Sequence, residues 1–252
     1  MRIKFLGTGT STGIPEIGCR CDVCTSNDTR NRRLRASVLV TISDVRLLID
    51  CGPDFRQQIM DEPFRPIDGV LLTHEHYDHV GGLDDLRPFS KFGDVDIYSS
   101  PITLDALKVR MPYSFSEHKY PGVPSLTLHE VNENNLFQIK GIEIQPIKLM
   151  HYRLPILGYR IQNFAYLTDV KTIPEDEYSK LENLDVLVID ALRTSEHIAH
   201  FSLNEALEAV SRIMPGKTYL IHLSHQMGLH EEVEKRLPEN VFLSYDGLEI
   251  EV

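Results

Sequence analysis

Apolar positions along the chain gather mainly into short runs enriched in β-branched residues. They occur at Ser37–Ile42, Arg46–Ile49, Gly69–Leu72, Ile142–Ile147, Asn163–Leu167, Val186–Ile189 and Thr218–Ile221, and their length predicts strands. Helical periodicity is best in Ser202–Ile213. There Ser202 is placed to N-cap, Leu203, Ala206, Leu207 and Val210 form a stripe expected to be buried, and Pro215-Gly216 follows the end. Weaker helical patterns cover Val80–Phe92, Ile102–Val109 and Leu229–Arg236. A β-rich first half and middle, followed by alternating strand and helix, fit two mixed sheets packed face to face with helices outside. The expected fold is therefore an α/β, four-layer αβ/βα sandwich. With no repeat, low-complexity stretch or long polar linker, residues 1–252 are read as one domain.

Composition narrows this picture. A chain of 252 residues, 42% hydrophobic, can bury a full-sized core without staples. No apolar run reaches membrane-spanning length, and MRIKFLGTGT reads as a strand and Gly-rich turn rather than a signal sequence. A soluble cytoplasmic protein with no membrane partner is expected. The formal net charge of −11 argues against a large nucleic-acid footprint, since phosphate backbones demand basic stripes. A small anionic substrate stays compatible, because a bound metal can override the sign of the surrounding surface. The basic cluster Arg30, Arg32, Arg33 and Arg35 reads as a solvated loop leading into a strand.

Polar residues with metal-binding chemistry sit just after the apolar strands. Gly69–Leu72 runs into Thr73-His74-Glu75-His76-Tyr77-Asp78-His79, and Val80-Gly81-Gly82 opens a helix. Imidazole and carboxylate suit borderline and hard divalent ions, and so dense a group is rare by chance. Alternate residues of an extended loop point the same way, so His74 and His76 can grip one ion while Asp78 and His79 face a second. His151, Asp169 and His222 each close a later apolar strand and supply further ligands.

Three of the four cysteines, Cys19, Cys21 and Cys24, crowd into six residues. Such a cluster in a cytosolic chain points to metal rather than to disulfides. It suits a tetrahedral structural zinc closed by His225 as fourth ligand. Cys51 reads as a buried free thiol.

His-x-His-x-Asp-His followed by later His, Asp and His resembles the metallo-β-lactamase superfamily over essentially the whole chain. The resemblance implies that His74, His76 and His151 hold metal one, that Asp78, His79 and His222 hold metal two, and that Asp169 bridges them. Asp50 resembles the family's first acidic position, which orients the metal loop. The turn Gly7-Thr8-Gly9-Thr10-Ser11-Thr12-Gly13 followed by Cys-x-Cys-x-x-Cys is similar to the PhnP branch, whose members open five-membered cyclic phosphates of ribose. Tyr166-Leu167-Thr168-Asp169-Val170, His200-Phe201-Ser202 and Asp246-Gly247-Leu248-Glu249-Ile250 match that branch as well. Its cysteine–histidine zinc set is shared with a cofactor-biosynthesis protein of the same superfamily, so it leaves the substrate open.

The resemblance implies two active-site divalent ions, zinc or manganese, one structural zinc and a homodimer. Two bridged ions would activate a water as hydroxide at neutral pH. His200, in His197-Ile198-Ala199-His200-Phe201, resembles the branch's general acid, and Asp78 and His200 are the catalytic candidates. His118, His129, His197 and His230 read as surface or packing residues. The expected activity is hydrolysis of a small cyclic phosphate, foremost phosphoribosyl 1,2-cyclic phosphate. The alternatives are transfer-RNA 3′ processing, lactone or thioester hydrolysis, and a non-catalytic metal-binding role in cofactor biosynthesis.

Overall fold

A computed structural model of the protein describes residues 1–116, 118 and 121–252. Its first half supplies β1 (Arg2–Gly7), β2 (Ser37–Ile42), β3 (Val45–Ile49), β4 (Gly69–Leu71), β5 (Val95–Ser99) and β6 (Leu126–Glu130). The second half supplies β7 (Phe137–Ile139), β8 (Ile142–His151), β9 (Leu154–Ile161), β10 (Phe164–Leu167), β11 (Val186–Asp190), β12 (Lys217–Ile221), β13 (Val241–Leu243) and β14 (Glu249–Glu251). They form two seven-stranded sheets, ordered β14-β1-β2-β3-β4-β5-β6 and β13-β12-β11-β10-β9-β8-β7. Each sheet is mixed. Antiparallel pairing runs from β14 to β3 and from β7 to β10, and parallel pairing covers the rest.

Period-two alternation explains the layers. Val38 and Val40 of β2, Leu47 and Ile49 of β3, and Val186 and Val188 of β11 face the core between the sheets. Leu39 and Leu48 face the outer core of the first sheet, and Leu187 and Ile189 that of the second. Strands covered on both faces carry apolar residues at every position, which is why they appear as unbroken runs.

Helices α1 (Phe55–Ile59), α2 (Tyr77–Val80), α3 (Pro101–Arg110), α4 (Pro112–Phe115), α5 (Leu203–Ile213) and α6 (His230–Glu234) complete the chain with short 3₁₀ segments. Phe55, Val80, Leu104 and Leu107 pack on the first sheet, and Ala206, Ala209 and Ile213 on the second. This is the four-layer sandwich expected. Among the described residues, no helix is long and apolar enough to cross a membrane.

Three local expectations are corrected. The pattern over Val80–Phe92 splits, because α2 ends at Val80 and Leu83–Phe92 is 3₁₀, interrupted by Pro88. The deepest stripe of α5 is Ala206, Ala209 and Ile213, with Leu203, Leu207 and Val210 only partly buried, because the two alanines permit close approach to the sheet. The arginine cluster is not one solvated loop. Arg33 is buried, with Nη1 donating to Thr8 and Nη2 facing His230 Nδ1 at 3.1 Å, while Arg30 pairs with Asp28 and Arg35 with Asp54.

Candidate metal centre

Strands end where the polar residues begin. Asp50 follows β3, His74 lies just past β4, and His151 ends β8. Asp169 follows β10, Asp190 ends β11, and His222 follows β12. Three of these, Asp50 (φ 60°), Asp169 (φ 54°) and His222 (φ 60°), adopt the left-handed backbone conformation that non-glycine residues rarely occupy. Strained backbone retained at three buried polar positions is characteristic of a functional site.

The segment Tyr77–Val80 is seated by a glycine interlock. A Cβ on Gly52 would lie 2.0 Å from the Asp78 carbonyl oxygen, and one on Gly82 would lie 2.0 Å from that of Gly52. The Cys51 amide donates to His79 O and the Gly82 amide to Cys51 O, which closes the contact. This is the close backbone approach for which only glycine has room.

Two groups of ligand atoms result. His74, His76 and His151 form one, and Asp78, His79, Asp169 and His222 the other, each with its atoms within 4.8 Å of one another. His79 Nε2 lies 3.1 Å from carboxylate oxygens of both Asp78 and Asp169. His222 Nε2 lies 3.4 Å from the same two residues. The structure thus brings together every histidine and aspartate expected at the binuclear site.

The donor chemistry fits divalent ions. His74 Nε2 and His79 Nε2 are buried without hydrogen-bond partners, although both face this cluster. Burial pushes His74 well below the ordinary imidazole range and also lowers His151, so both rings are neutral and offer a lone pair. Burial opposes the charge on Asp78 and Asp169, yet neighbouring imidazoles outweigh it and hold both carboxyls below their usual range.

Surrounding groups fix the rings. His79 Nδ1 donates to Asp50 Oδ2 at 2.7 Å, and Asp50 also accepts from the Thr73 amide at 2.8 Å. Thr73 Oγ1 lies 3.0 Å from His74 Nδ1, and His151 Nδ1 donates to the Ala199 carbonyl at 2.8 Å. Such partners select the tautomer and orientation of a ligating imidazole.

His200 stands at the edge of both groups, its ring 4.6 Å from that of His151 and 4.9 Å from that of His222. Its Nδ1 donates to Asp190 Oδ2 at 3.0 Å. Burial disfavours the charged ring, but the Asp190 carboxylate prevails and His200 is raised to about 9. Sequence reading missed Asp190, although it closes an apolar strand just as Asp169 and His222 do. Of the histidines set aside, His118 is exposed, and His129 pairs with Asp96 away from the site. His230 is buried against Arg33, while His197 lies 5.1 Å, ring to ring, from His200.

A second cluster gathers three thiols and an imidazole. Cys19, Cys21 and Cys24 place Sγ at 3.2, 3.7 and 3.3 Å from His225 Nδ1. Tetrahedral zinc with bonds of about 2.0–2.3 Å separates its ligand atoms by about 3.5 Å, so the four groups fit that ion. Burial lifts the Cys24 thiol to about 11, so a cation is needed to hold it as thiolate at neutral pH. The N-terminal turn brings the cysteines here, because Thr10 donates to the Leu223 carbonyl and the Leu223 amide to Thr8 O. Cys51 is buried and free, as expected.

Residues 45–223 match the β-lactamase superfamily domain. The chain is 45% identical over 251 residues to an octanoyltransferase of Porphyromonas gingivalis, covering 99% of this chain but only 51% of that protein. It therefore spans about half the length of that relative. Among solved structures, a diphosphatase of the PhnP family superposes with a TM-score of 0.92 at 36% identity, covering 100% of this chain and 97% of the other. Zinc-bound PqqB from Methylobacterium extorquens superposes with a TM-score of 0.83 at 20% identity over the full length of both chains, a likeness of fold alone. Fold, ligand geometry and these likenesses agree, and the chain belongs to the metallo-β-lactamase superfamily, in its PhnP branch.

Proposed function

We infer that the protein is a metal-dependent phosphodiesterase of small anionic substrates, foremost a five-membered cyclic phosphate of ribose such as phosphoribosyl 1,2-cyclic phosphate. The carrying observation is the Asp190–His200 pair beside the clustered histidine and aspartate ligands. His74, His76 and His151 would hold one ion, Asp78, His79 and His222 the other, and Asp169 would lie between them. Divalent ions there, zinc or manganese, supply Lewis acidity and activate water at neutral pH. Two aspartates do not neutralise two dications, so the centre attracts an anion although the chain carries −11.

This chain's own residues provide the rest. The Asp190 carboxylate favours a proton on His200, and a leaving ribose alkoxide needs one. Asp190 steadies the charged ring. Asp50 and Thr73 fix His79 and His74, so the ligands are aimed before substrate arrives. The likeness to a PhnP-family diphosphatase supports phosphoryl chemistry. The likeness to an octanoyltransferase favours a second reading, hydrolysis of an acyl thioester or lactone.

The test is hydrolysis by the zinc- or manganese-loaded protein of phosphoribosyl 1,2-cyclic phosphate, bis(nitrophenyl) phosphate, an octanoyl thioester and a lactone. Turnover of the phosphodiesters supports the first reading. Turnover confined to the acyl substrates overturns it in favour of the second.

A further inference from the structure

The sequence reads His197 as a surface or packing residue, and the structure gives it a different setting. Its ring lies 5.1 Å from that of His200, whose own ring lies 4.6 Å from that of His151. His200 in turn brings a ring nitrogen within 4.8 Å of ligand atoms of both His151 and Asp169. His197 therefore stands one ring away from the ligand cluster, packed against the candidate acid.

The loop that carries it is pinned at its ends and from within. Arg193 pairs with Ser202 as a β-bridge, the Leu192 amide donates to Phe201 O, and the Phe201 amide donates to Val170 O. Arg193 also reaches into the loop, with Nε donating to Ser195 O at 3.3 Å and Nη2 to Glu196 O at 2.7 Å. Its Nη1 donates to Gln226 Oε1 at 2.9 Å, so this cation is held by carbonyl oxygens rather than by a carboxylate. The Ala199 amide donates to His197 Nδ1 at 3.2 Å, and the Ala199 carbonyl accepts from His151 Nδ1 at 2.8 Å. One residue thus ties the His197 ring to a candidate ligand.

An Nδ1 that accepts leaves the proton of a neutral imidazole on Nε2. Burial, then the charges of His200 and Arg193, lowers His197 below the ordinary imidazole range, which favours that neutral form. The ring is only half-buried, and among the described residues no hydrogen bond occupies its Nε2. His200 is arranged alike, with Nδ1 committed to Asp190 and Nε2 without a hydrogen-bond partner among the described residues. Two adjacent rings therefore use Nδ1 within the protein and leave Nε2 to a ligand. An anion with several oxygens is the ligand that neighbouring N–H donors fit.

We propose that His197 is a substrate-binding residue whose Nε2–H donates to a non-bridging phosphoryl oxygen while His200 faces the leaving oxygen. The proposal rests on the phosphodiesterase reading of the same site.

Two substitutions separate this role from a purely structural one. His197→Asn keeps an acceptor near Nδ1 for the Ala199 amide but has no group at Nε2, whereas His197→Gln places an amide N–H near Nε2. Calorimetric binding of inorganic phosphate to the zinc-loaded protein should weaken about 10-fold in His197→Asn and recover in His197→Gln, with metal content unchanged in both. In His197→Asn, kcat/KM should fall by a similar factor on a ribose cyclic phosphate and on a nitrophenyl diester, because a non-bridging oxygen is present whatever the leaving group. Wild-type phosphate affinity in His197→Asn overturns the proposal. A loss confined to the ribose substrate also overturns it, by making His197 a prop for His200. Phosphate affinity that follows the Nε2 donor in a protein hydrolysing no phosphodiester would refute the phosphodiesterase reading and leave the role of His197 intact. Phosphodiester hydrolysis with phosphate affinity indifferent to His197 would do the reverse.

Discussion

Asp190 Oδ2 accepts the Nδ1–H of His200 at 3.0 Å, and the other oxygen of the same carboxylate lies 3.8 Å from Nδ1 of the candidate ligand His222. One buried carboxylate therefore holds His200 and stands beside a candidate ligand without hydrogen-bonding to it. A general acid matters in proportion to the leaving group's need for a proton. Asp190→Asn and His200→Ala should each cost about 10²-fold or more in kcat on a ribose cyclic phosphate. Both should cost far less on a nitrophenyl diester, with active-site metal content unchanged in His200→Ala. Steady-state rates on the two substrates check this, and equal losses on both would assign the pair to binding instead.

Asp169 places carboxylate oxygen within 3.1 Å of His79 Nε2 and 3.4 Å of His222 Nε2. Asp169→Asn removes the negative charge of the carboxylate proposed to lie between the two ions. Metal analysis should show weaker retention of both active-site ions, and turnover should fall by orders of magnitude. Wild-type occupancy and rate together would remove Asp169 from the site.

The thiol cluster joins positions 206 residues apart between Cys19 and His225, which closes a long loop. Mild chelation should strip the His/Asp site and abolish activity while about one zinc per chain and the fold persist. His225→Ala should lose that zinc and lower the melting temperature. Loss of every ion to the mild chelator without a change in folding would disprove the structural staple.

His230 is buried with Nδ1 3.1 Å from Arg33 Nη2, and desolvation and then the arginine charge lower it to about 4. A depressed folded-state value means that the group's contribution is complete above its unfolded value near 6.5 and is lost as pH falls towards 4. The loss amounts to about 3 kcal/mol at most. Denaturant midpoints between pH 7 and 4.5 should fall less steeply for His230→Asn, whose side chain still offers an acceptor to Arg33. Parallel profiles for the two proteins would contradict the assignment.

Much of this centre was legible before folding, for a chemical reason. Imidazole, carboxylate and thiolate groups stand out against apolar strands, and strands covered on both faces have no other polar positions to confuse them with. His74 to His79, His151, Asp169, His222 and the Cys19–Cys24 cluster were visible on that ground, as was the layered sheet architecture. Asp190 was present in the same pattern, but its meaning was not. Its place beside His222 follows from β11 lying next to β12 with Asp190 paired to Ile221, a register that no local pattern encodes. The left-handed backbone at Asp50, Asp169 and His222 was equally hidden, because no glycine marks it. Arg33 looked like one more solvated arginine until the Ser244 carbonyl, Thr8 and His230, from distant parts of the chain, enclosed it. Residue type and periodicity thus determined which groups could bind metal and which segments could form strands. Strand order and register decided which carboxylate orients which imidazole, since hydrogen bonds and ligand sets act over a few ångströms between residues far apart in sequence.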